Sequence, residues 1–515
     1  MSEPASDAPK ATPSAPRSAD PARQASALVV GSTLATIAAA LTPLLVVRLI
    51  GKADVARLLS VTLVYETLAM LLSTGFPYTL LYELSNREPP QRAAIARRTF
   101  GVAACLGVVG AVGVALVAGV VALAPFGVPS ETLTKQLHLL LIFAPSLIAD
   151  LPFRLLPNLL IAERRAQRSA VLQVVRTILL TLATLVPLAS DANVDLVIHS
   201  SAVVRWAFGL VVLWELRRLY GPVARVPSPL TVAGLFAVAV PIGATEVLGQ
   251  LNAQLDRWLV LLVLPATRLA DYQAGAWQVP VITTIAYSVG AAYTPNLVER
   301  FQANDPRGAL AIWQKNVQKV ALIVVPVTMA LVVGAEELMS VLFTSAYVDA
   351  AAIFRFYSPL TFLRVAAYGP VIVAAGRPGL SLKAAAFGLF WNALLSVPLV
   401  LSMGFLGPAL GTGLAFVLHV ATYIVFIGVA TRVPVTEIFP LGAYLRVFAT
   451  AAVAGVVGWG VKRTLAVPAL PLLLLEVGTV LGVYTGLGLV TGLLSRADFA
   501  FILSTLRRKK TPARA

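Results

Sequence analysis

Residues 99–124 read TFGVAACLGVVGAVGVALVAGVVALA, a continuous run of apolar and small residues that contains no charge. The run is longer than the ~20 residues that an α-helix needs to cross the hydrocarbon core of a bilayer. Apolar and polar residues do not alternate in it, and in lipid such a segment satisfies its backbone hydrogen bonds only as a helix. The stretch therefore predicts a transmembrane helix.

Comparable runs recur along the whole chain. The sequence has 515 residues, of which 58% are hydrophobic and 12% are charged. Soluble domains carry about 25% charged residues, so this chain lacks the polar surface that a water-soluble protein of its length needs. We predict an all-α polytopic membrane protein with about fourteen spans. The expected spans are 26–47, 58–82, 99–124, 137–162, 169–190, 195–216, 230–264, 271–296, 317–334, 351–375, 384–403, 407–429, 443–461 and 469–494.

The positions of lysine and arginine predict the orientation of the chain. With the N-terminus placed in the cytoplasm and each span reversing direction, 27 of the 40 cations fall on inside segments and 8 on outside segments. Cytoplasmic loops of membrane proteins carry such an excess of positive charge. We therefore expect an even number of spans and both termini in the cytoplasm. Because the cations are scattered over short loops, we expect no nucleic-acid partner.

An internal repeat divides the chain. Glu83 and Glu299, which follow spans two and eight, are 216 positions apart, and Arg164 and Arg377, which follow spans four and ten, are 213 positions apart. The similar offsets predict two six-helix lobes, an arrangement typical of transporters. The expected parts are a disordered cytoplasmic tail at 1–25, a first lobe at 26–216, a cytoplasmic linker at 217–229, a second lobe at 230–429, an appended helix pair at 443–494 and a basic cytoplasmic tail at 495–515.

Charged residues inside the expected spans are the candidates for function. Each costs on the order of 3 kcal/mol to place in lipid unless it faces a partner or a polar cavity. Arg364 lies deep in span ten, and the repeat offset places Asp150 and Arg154 at a similar depth in span four. Such guanidinium groups suit an anionic headgroup, because arginine binds phosphate through two hydrogen bonds. The candidate substrate-binding residues are Arg364, Arg154, Asp150, Arg48, Asp256, Arg257 and Arg205.

Several of these candidates also have a structural explanation. Asp150 and Arg154 are one helical turn apart and can pair with each other. Asp256 and Arg257 can belong to neighbouring ion pairs. Arg364 differs, since it has no acid within four residues, so its partner lies on another helix or in the substrate.

Other charged residues lead to different expectations. Arg48 and Arg176 lie near the ends of their spans, where the side chain can reach the surface; for Arg48 a place in the substrate path is the alternative. Glu66 and Glu246 are candidates for an ion-coupling site, because a carboxylate far from water takes up a proton more readily. Glu476, in the appended pair, is expected to serve packing or partner contacts.

Motifs for enzymatic chemistry are missing from the sequence. It holds no phosphate-binding loop, no His-Glu-x-x-His, no Cys-x-x-Cys and no nucleophile elbow. Cys105 is the single cysteine, and the three histidines fall on separate segments without metal-ligand spacing. We therefore expect no catalytic residues, no cofactor and no metal site.

A series of short motifs runs along most of the chain. In order they are Val47-Arg48-Leu49-Ile50-Gly51, Asp256-Arg257-Trp258, Asp271-Tyr272-Gln273-Ala274, Thr294-Pro295-Asn296-Leu297, Ala346-Tyr347 and Gly404-Phe405-Leu406-Gly407. This series resembles the polysaccharide and O-antigen flippases of the multidrug, oligosaccharidyl-lipid and polysaccharide exporter superfamily.

The resemblance implies two six-helix lobes around a central cavity. It also implies that an undecaprenyl-pyrophosphate-linked oligosaccharide moves from the cytoplasmic to the outer leaflet of a bacterial inner membrane, for O-antigen or exopolysaccharide synthesis. Arginines would bind the pyrophosphate, the lipid tail would stay in the membrane, and an ion or proton gradient would drive the step. The partners would be this glycan and membrane lipids, with a polymerase and glycosyltransferases as further partners.

Three other functions remain open at this stage, one of which is a scaffold without transport. A multidrug or cation antiporter of the same superfamily would have an acidic cavity. A membrane-embedded glycan-assembly enzyme would need catalytic carboxylates on a large outer loop, and the longest expected outer loops are short.

Overall fold

The computed structural model describes residues 41–84, 87–123, 131–191, 193–221, 228–279, 293–465 and 467–495. All regular structure in these ranges is helical, which confirms the predicted all-α fold. The expected tails at 1–25 and beyond residue 495 lie outside the described residues. The helices are α1 (41–49), α2 (Lys52–Ser73), α3 (Phe76–Leu84), α4 (Pro89–Leu123), α5 (Glu131–Phe143), α6 (Leu147–Ala162), α7 (Ala166–Asp191), α8 (Val194–Tyr220), α9 (Val232–Val263), α10 (Thr267–Gly275), α11 (293–302), α12 (Pro306–Val333), α13 (Ala335–Phe343), α14 (Ala350–Tyr357), α15 (Leu360–Leu363), α16 (Tyr368–Ala374), α17 (Pro378–Met403), α18 (Gly407–Thr431), α19 (Val435–Ile438), α20 (Leu441–Thr464) and α21 (Ala469–Val490).

Eleven stretches of the described chain are helical, long and apolar enough to cross a membrane. One of them, Pro378–Thr431, contains both α17 and α18, joined by a 3₁₀ turn at Gly404–Leu406, and so accounts for two expected spans. Twelve of the fourteen expected spans therefore have a helical counterpart. The other two, 26–47 and 271–296, lie partly outside the described residues. The chain is a multi-pass membrane protein.

Two expected spans are built from several helices. Span four consists of α5 and α6, which are separated by a 3₁₀ turn that contains Pro145, a residue without a backbone N–H. Span ten is not the single helix that its continuous hydrophobicity indicates, since 350–374 forms α14, α15 and α16. Pro359 precedes α15, and Arg364 ends it. The break places Arg364 at the end of α15, where the backbone is no longer helical.

Two clusters of buried apolar side chains hold the helices together. The first joins α2, α5, α6 and α8 to α13 and α14, with Tyr65 and Phe354 among its members. The second joins α12, α16 and α18 to the appended pair, with Trp313 and Val480 among its members. Helices α20 and α21 pack on α12, and α21 also packs on α13. The predicted lobe and linker boundaries stay a prediction.

The break between α2 and α3 rests directly on α9. Gly75, at this break, has a φ of +86°, a conformation that residues with a side chain rarely adopt. A Cβ atom on Gly75 would lie 2.0 Å from the carbonyl oxygen of Ala239. A Cβ atom on Gly243, one turn further along α9, would lie 2.9 Å from the backbone nitrogen of Gly75. The two glycines therefore let the backbones of the two halves touch.

Replacing Gly75 by alanine should destabilise the protein. The left-handed conformation costs a side chain roughly 1–2 kcal/mol, and the added methyl group overlaps Ala239. We expect a lower thermal midpoint for the purified protein in detergent. The control is Gly249→Ala on α9, where a Cβ atom meets nothing within 4 Å. Equal midpoints for the two variants would contradict the close contact at Gly75.

Candidate functional site

A network of five charged residues joins α2, α6, α7 and α8. Asp150, on α6, is fully buried and is contacted by three guanidinium groups. The Nε atom of Arg154 lies 3.0 Å from one carboxylate oxygen, and Nη1 of Arg205 lies 3.0 Å from the other, which Arg176 also contacts. Glu66, on α2, pairs with Arg154 and with Arg205, the latter at 3.1 Å. The three cations and two anions leave one net positive charge.

Aromatic rings enclose two of the arginines. The guanidinium carbon of Arg205 is 4.6 Å from the ring centroid of Tyr65, and that of Arg176 is 4.6 Å from the centroid of Phe153. Such cation–π contacts add to the ion pairs where water is excluded. The prediction that Arg176 reaches the cytoplasmic surface is wrong, because Asp150 offers it a buried carboxylate.

Three cavities adjoin one another through shared lining residues; the first two lie between the halves of the chain, and the third lies within the second half. The first, of about 380 Å³, is lined by α2, α3, α6 and α9 and includes Glu66 and Glu246. The second, of about 180 Å³, shares Glu66 and Gln254 with the first. The third, of about 240 Å³, shares Arg257 with the second and ends at Arg364. Charged side chains from both halves therefore face one continuous row of cavities.

The third cavity presents cations without carboxylate partners. Neither Arg257 nor Arg364 has a carboxylate oxygen within 4.0 Å in the described ranges, and Nε of Arg257 has no hydrogen-bond partner there. The Arg364 guanidinium carbon lies 5.0 Å from the ring centroid of Phe416. Uncharged polar groups complete the wall; they are Asn252, Asn392, Thr412 and His419. This composition suits an anion flanked by hydroxyl groups.

The amide of Asn392 organises that wall. Its nitrogen donates to the side-chain oxygen of Asn252 at 2.9 Å. Its oxygen accepts hydrogen bonds from Ser396 at 2.7 Å and from Thr412 at 3.2 Å. These bonds connect α9, α17 and α18 and orient the polar side of the cavity.

Asp256 does not line these three cavities, although Arg257, the next residue in the sequence, lines two of them. Its carboxylate is 1% exposed and accepts hydrogen bonds from the hydroxyl groups of Tyr272, at 3.1 Å, and Tyr357. It also accepts a bond of 2.8 Å from the backbone N–H of Arg257. Buried tyrosine hydroxyls thus satisfy Asp256, and no ion pair of its side chain occurs among the described residues.

The structure separates the two remaining candidates. Arg48 is exposed and donates a hydrogen bond to the carbonyl oxygen of Val341 on α13, so it bridges the two halves away from the cavities. Glu246 is exposed within the first cavity and forms no ion pair in the part of the chain that the structure describes. The roles proposed for these residues, and for the network, stay predictions.

A second bridge between the halves lies near Arg48. Lys52, at the start of α2, lies 2.6 Å from a carboxylate oxygen of Asp271 on α10, whose side chain is 5% exposed. The Lys52 ammonium group also lies 5.0 Å from the ring centroid of Tyr347. The charge count predicts that this end of the molecule faces outward, and we expect these contacts to hold that end closed.

The sequence reasoning missed the uncharged polar residues of the row. Gln254 accepts a hydrogen bond of 2.6 Å from the hydroxyl group of Thr67 and thereby connects α9 to α2. Asn252, Asn392 and His419 line the third cavity. All of them interrupt strongly apolar helices, so marking isolated amide and imidazole groups in the spans would have found them.

The chain matches the family described as polysaccharide biosynthesis proteins over residues 45–352, and it belongs to that family. It is similar to the probable low-salt glycan biosynthesis flippase Agl15 of Haloferax volcanii, with 22% identity over 267 residues. That match covers 51% of this chain and 55% of the relative, so the chain spans about half the length of this relative.

Solved structures show the same fold. The lipid II flippase MurJ in its inward closed conformation has a TM-score of 0.69 and 12% identity, over 93% of this chain and 99% of the other. A multidrug resistance MATE family transporter of the MOP superfamily has a TM-score of 0.56 and 14% identity, over 78% and 95%. A MOP superfamily transporter from Pyrococcus furiosus has a TM-score of 0.54 and 13% identity, over 81% and 95%. The predicted family resemblance is confirmed by the family match, and the solved structures show the fold.

Neutralising Asp150 should destabilise the protein more than neutralising Glu66. Asp150→Asn leaves three buried guanidinium groups without their shared anion, and breaking a buried ion pair costs roughly 3–5 kcal/mol. Glu66 has a side chain that is 45% exposed in the cavities, so water can replace part of its role in Glu66→Gln. We expect a much lower thermal midpoint for Asp150→Asn. Matching losses would refute the dominant place of Asp150 in the network.

Exchanging the charges of Lys52 and Asp271 tests the bridge between α2 and α10. Lys52→Asp alone places two carboxylates together, so a cysteine introduced near the contact should become more reactive toward a thiol reagent added from the outer side. Adding Asp271→Lys should restore the low reactivity. If the change in cysteine reactivity in the double variant equals the sum of the changes in the two single variants, the two side chains do not interact and the pair does not close this side.

Proposed function

We propose that the protein is a flippase that carries a lipid-linked glycan across the membrane by alternating access. Its membership of a polysaccharide biosynthesis family, and the relative named as a probable glycan biosynthesis flippase, support this proposal. In the full form of the proposal the carrier is undecaprenyl pyrophosphate, and the glycan moves from the cytoplasmic to the outer leaflet of the inner membrane for O-antigen or exopolysaccharide synthesis. Both termini lie in the cytoplasm.

The observation that carries the proposal is the charge of the third cavity. Arg257 and Arg364 face it without a carboxylate partner in the described ranges. A buried cation needs a counter-charge, and a pyrophosphate supplies more than one negative charge together with oxygens for bidentate hydrogen bonds. We therefore assign the pyrophosphate to Arg257 and Arg364 and the sugars to the amide and hydroxyl groups beside them.

The network in the first half has a different part in this proposal. Asp150 and Glu66 already neutralise most of the charge on their arginines. An anionic substrate must therefore compete with two carboxylates at Arg154 and Arg205. The network therefore holds α2, α6, α7 and α8 together rather than binding the headgroup.

An apolar cavity beside the row suits the start of the lipid tail. It has a volume of about 220 Å³, lies among α1, α2, α7, α8 and α10, and shares Leu59, Thr62 and Gln273 with the second cavity. Most of its lining side chains are apolar, and Arg205 also lines it. An isoprenoid segment next to a pyrophosphate has this combination of apolar body and anionic end.

The alternatives fit these surroundings less well. A cation antiporter needs carboxylates that are free to bind its substrate, whereas Asp150, Glu66 and Asp256 are all engaged by hydrogen-bond donors. Glu246 is the described cavity carboxylate that remains for such a role. A glycan-assembly enzyme would need a pair of carboxylates facing a substrate. The further partners, a polymerase and glycosyltransferases, stay predictions.

The test of this function is complementation of a strain that lacks the gene. We expect the deletion to remove surface polysaccharide and to leave its lipid-linked precursor on the cytoplasmic side of the membrane. Arg364→Ala should not restore the surface polysaccharide and should still leave the precursor on the cytoplasmic side, because it removes the anion-binding group. The abundance of this variant in the membrane should equal that of the wild type. Arg364→Lys keeps the charge but loses the bidentate geometry and should restore part of the flux.

The matched control is Arg300→Ala. Arg300 pairs with Asp305 on an exposed surface, where an ion pair contributes about 0–1 kcal/mol, so this variant should complement fully. Full complementation by Arg364→Ala would remove Arg364 from the substrate path. A deletion that leaves the polysaccharide intact but abolishes drug resistance would favour the antiporter.

A further inference from the structure

Glu476 is a buried carboxyl group outside the row of cavities. It lies on α21 with 0% of its surface exposed, and neither of its carboxylate oxygens has a hydrogen-bond partner in the described ranges. Because α21 begins at Ala469, Glu476 is roughly 10 Å along the helix from that end, at about 1.5 Å per residue. Sequence reasoning assigned it to packing, but an ionised carboxylate without donors is expensive to bury. These surroundings suit the neutral acid.

The carboxyl group rests against the junction of α12 and α13. Gly334 forms this junction, and a Cβ atom on it would lie 2.7 Å from one carboxylate oxygen of Glu476. The side chain of Leu473 covers the same side at a similar distance from that position. The bare backbone at Gly334 therefore provides the space that the carboxyl group occupies, and any rearrangement of Glu476 acts on the start of α13.

A cluster of charged residues lies next to Glu476 where α20, α13 and α14 meet. The ammonium group of Lys462 is 3.0 Å from Glu336 and 2.8 Å from Glu337, and Arg355 is 2.9 Å from the second oxygen of Glu336. Burial raises the pKa of Glu336, but the bonds from Lys462 and Arg355 outweigh it and hold that pKa below its usual range. These four residues are the charged groups that act on Glu476.

We infer that Glu476, on the appended helix pair, binds and releases a proton. The resulting change in its charge controls the position of α13. One proton binds to one carboxylate oxygen, and no other covalent bond changes. With the proton bound, Lys462 stays with Glu336 and Glu337 and holds α13 against α20. With the proton released, the Glu476 carboxylate attracts Lys462 towards α21, and Arg355 on α14 is left as the cation beside α13.

Helix α13 connects this site to the contacts between the halves. It carries Val341, whose carbonyl oxygen accepts the hydrogen bond from Arg48. It ends at Phe343, whose ring centroid lies 6.1 Å from that of Tyr347, the ring beneath Lys52. A displaced α13 therefore weakens both bridges. The use of this proton to drive transport rests on the proposed function, whereas the binding of the proton does not.

Glu476 also suits a proton carrier better than Glu66 does. Glu66 is paired with two arginines, which favour its ionised form and compete with a proton. Glu476 has no such partner in the described part of the chain. The charge count places the start of α21 on the outer side, so the proton reaches Glu476 from that side past Glu336 and Glu337.

Infrared difference spectroscopy of the purified protein in lipid tests the site without any substrate. Between acidic and alkaline buffer, the wild type should lose a carbonyl stretching band of a protonated carboxyl group. That band should be absent from Glu476→Gln, shifted in Glu476→Asp, and unchanged in the control Glu437→Gln, because the Glu437 side chain is 53% exposed and pairs with Arg307 outside this cluster. An unchanged band in Glu476→Gln, or no such band in the wild type, would overturn the assignment. If Glu476→Gln does not fold, the shift in Glu476→Asp decides.

Transport by reconstituted vesicles then tests the coupling. An imposed proton gradient should accelerate movement of the lipid-linked glycan by the wild type and by Glu437→Gln, but not by Glu476→Gln. Flux through Glu476→Gln that still follows the gradient would overturn the coupling. A wild type that moves no glycan, yet shows the infrared band, would refute the proposed function and leave the proton site intact.

Discussion

A carboxylate or a guanidinium group that is buried in a membrane protein has no water to solvate its charge. The two groups stabilise each other only when both are present and well placed. Asp150 meets this condition with three guanidinium groups around one fully buried carboxylate. The arginines come from three different helices, and Glu66 adds a fourth. The positions of α2, α6, α7 and α8 relative to one another therefore depend on one side chain.

The two halves of the chain meet this condition in different ways. In the first half the arginines that face the cavities have carboxylate partners, so the protein itself satisfies them. In the second half Arg257 and Arg364 face the third cavity without such a partner among the described residues. The sole carboxylate beside Arg257 in sequence is engaged by two tyrosine hydroxyls. In the proposed function, this asymmetry provides a fixed framework in the first half and an anion-binding surface in the second.

Much of this arrangement follows from the sequence. Continuous apolar runs predict the helices because lipid leaves the backbone no alternative, and the charges inside the runs mark the interior because each is too costly to expose to lipid. Arg364 and Arg154 were found in this way, and both line the row of cavities. The ion-pair partners of the buried arginines were harder to predict. Arg176, for example, reaches Asp150 only because of the way α6 and α7 pack.

Hydrophobicity also hides local breaks. The run at 351–375 is apolar throughout, yet it forms three short helices, and the break brings Arg364 to the third cavity. The separation of Asp256 from the cavities, and the absence of a hydrogen-bond partner for Glu476 among the described residues, are likewise properties of packing between distant helices. Neither the spacing nor the composition of the sequence contains that information.

The central claim is that an anionic lipid headgroup binds at the second-half arginines. Its most direct test is an experimental structure of the protein in lipid with undecaprenyl diphosphate added. The account predicts diphosphate density within hydrogen-bond distance of both Arg257 and Arg364. Diphosphate density between Arg154 and Arg205, or a third cavity without it at saturating lipid, would contradict the account.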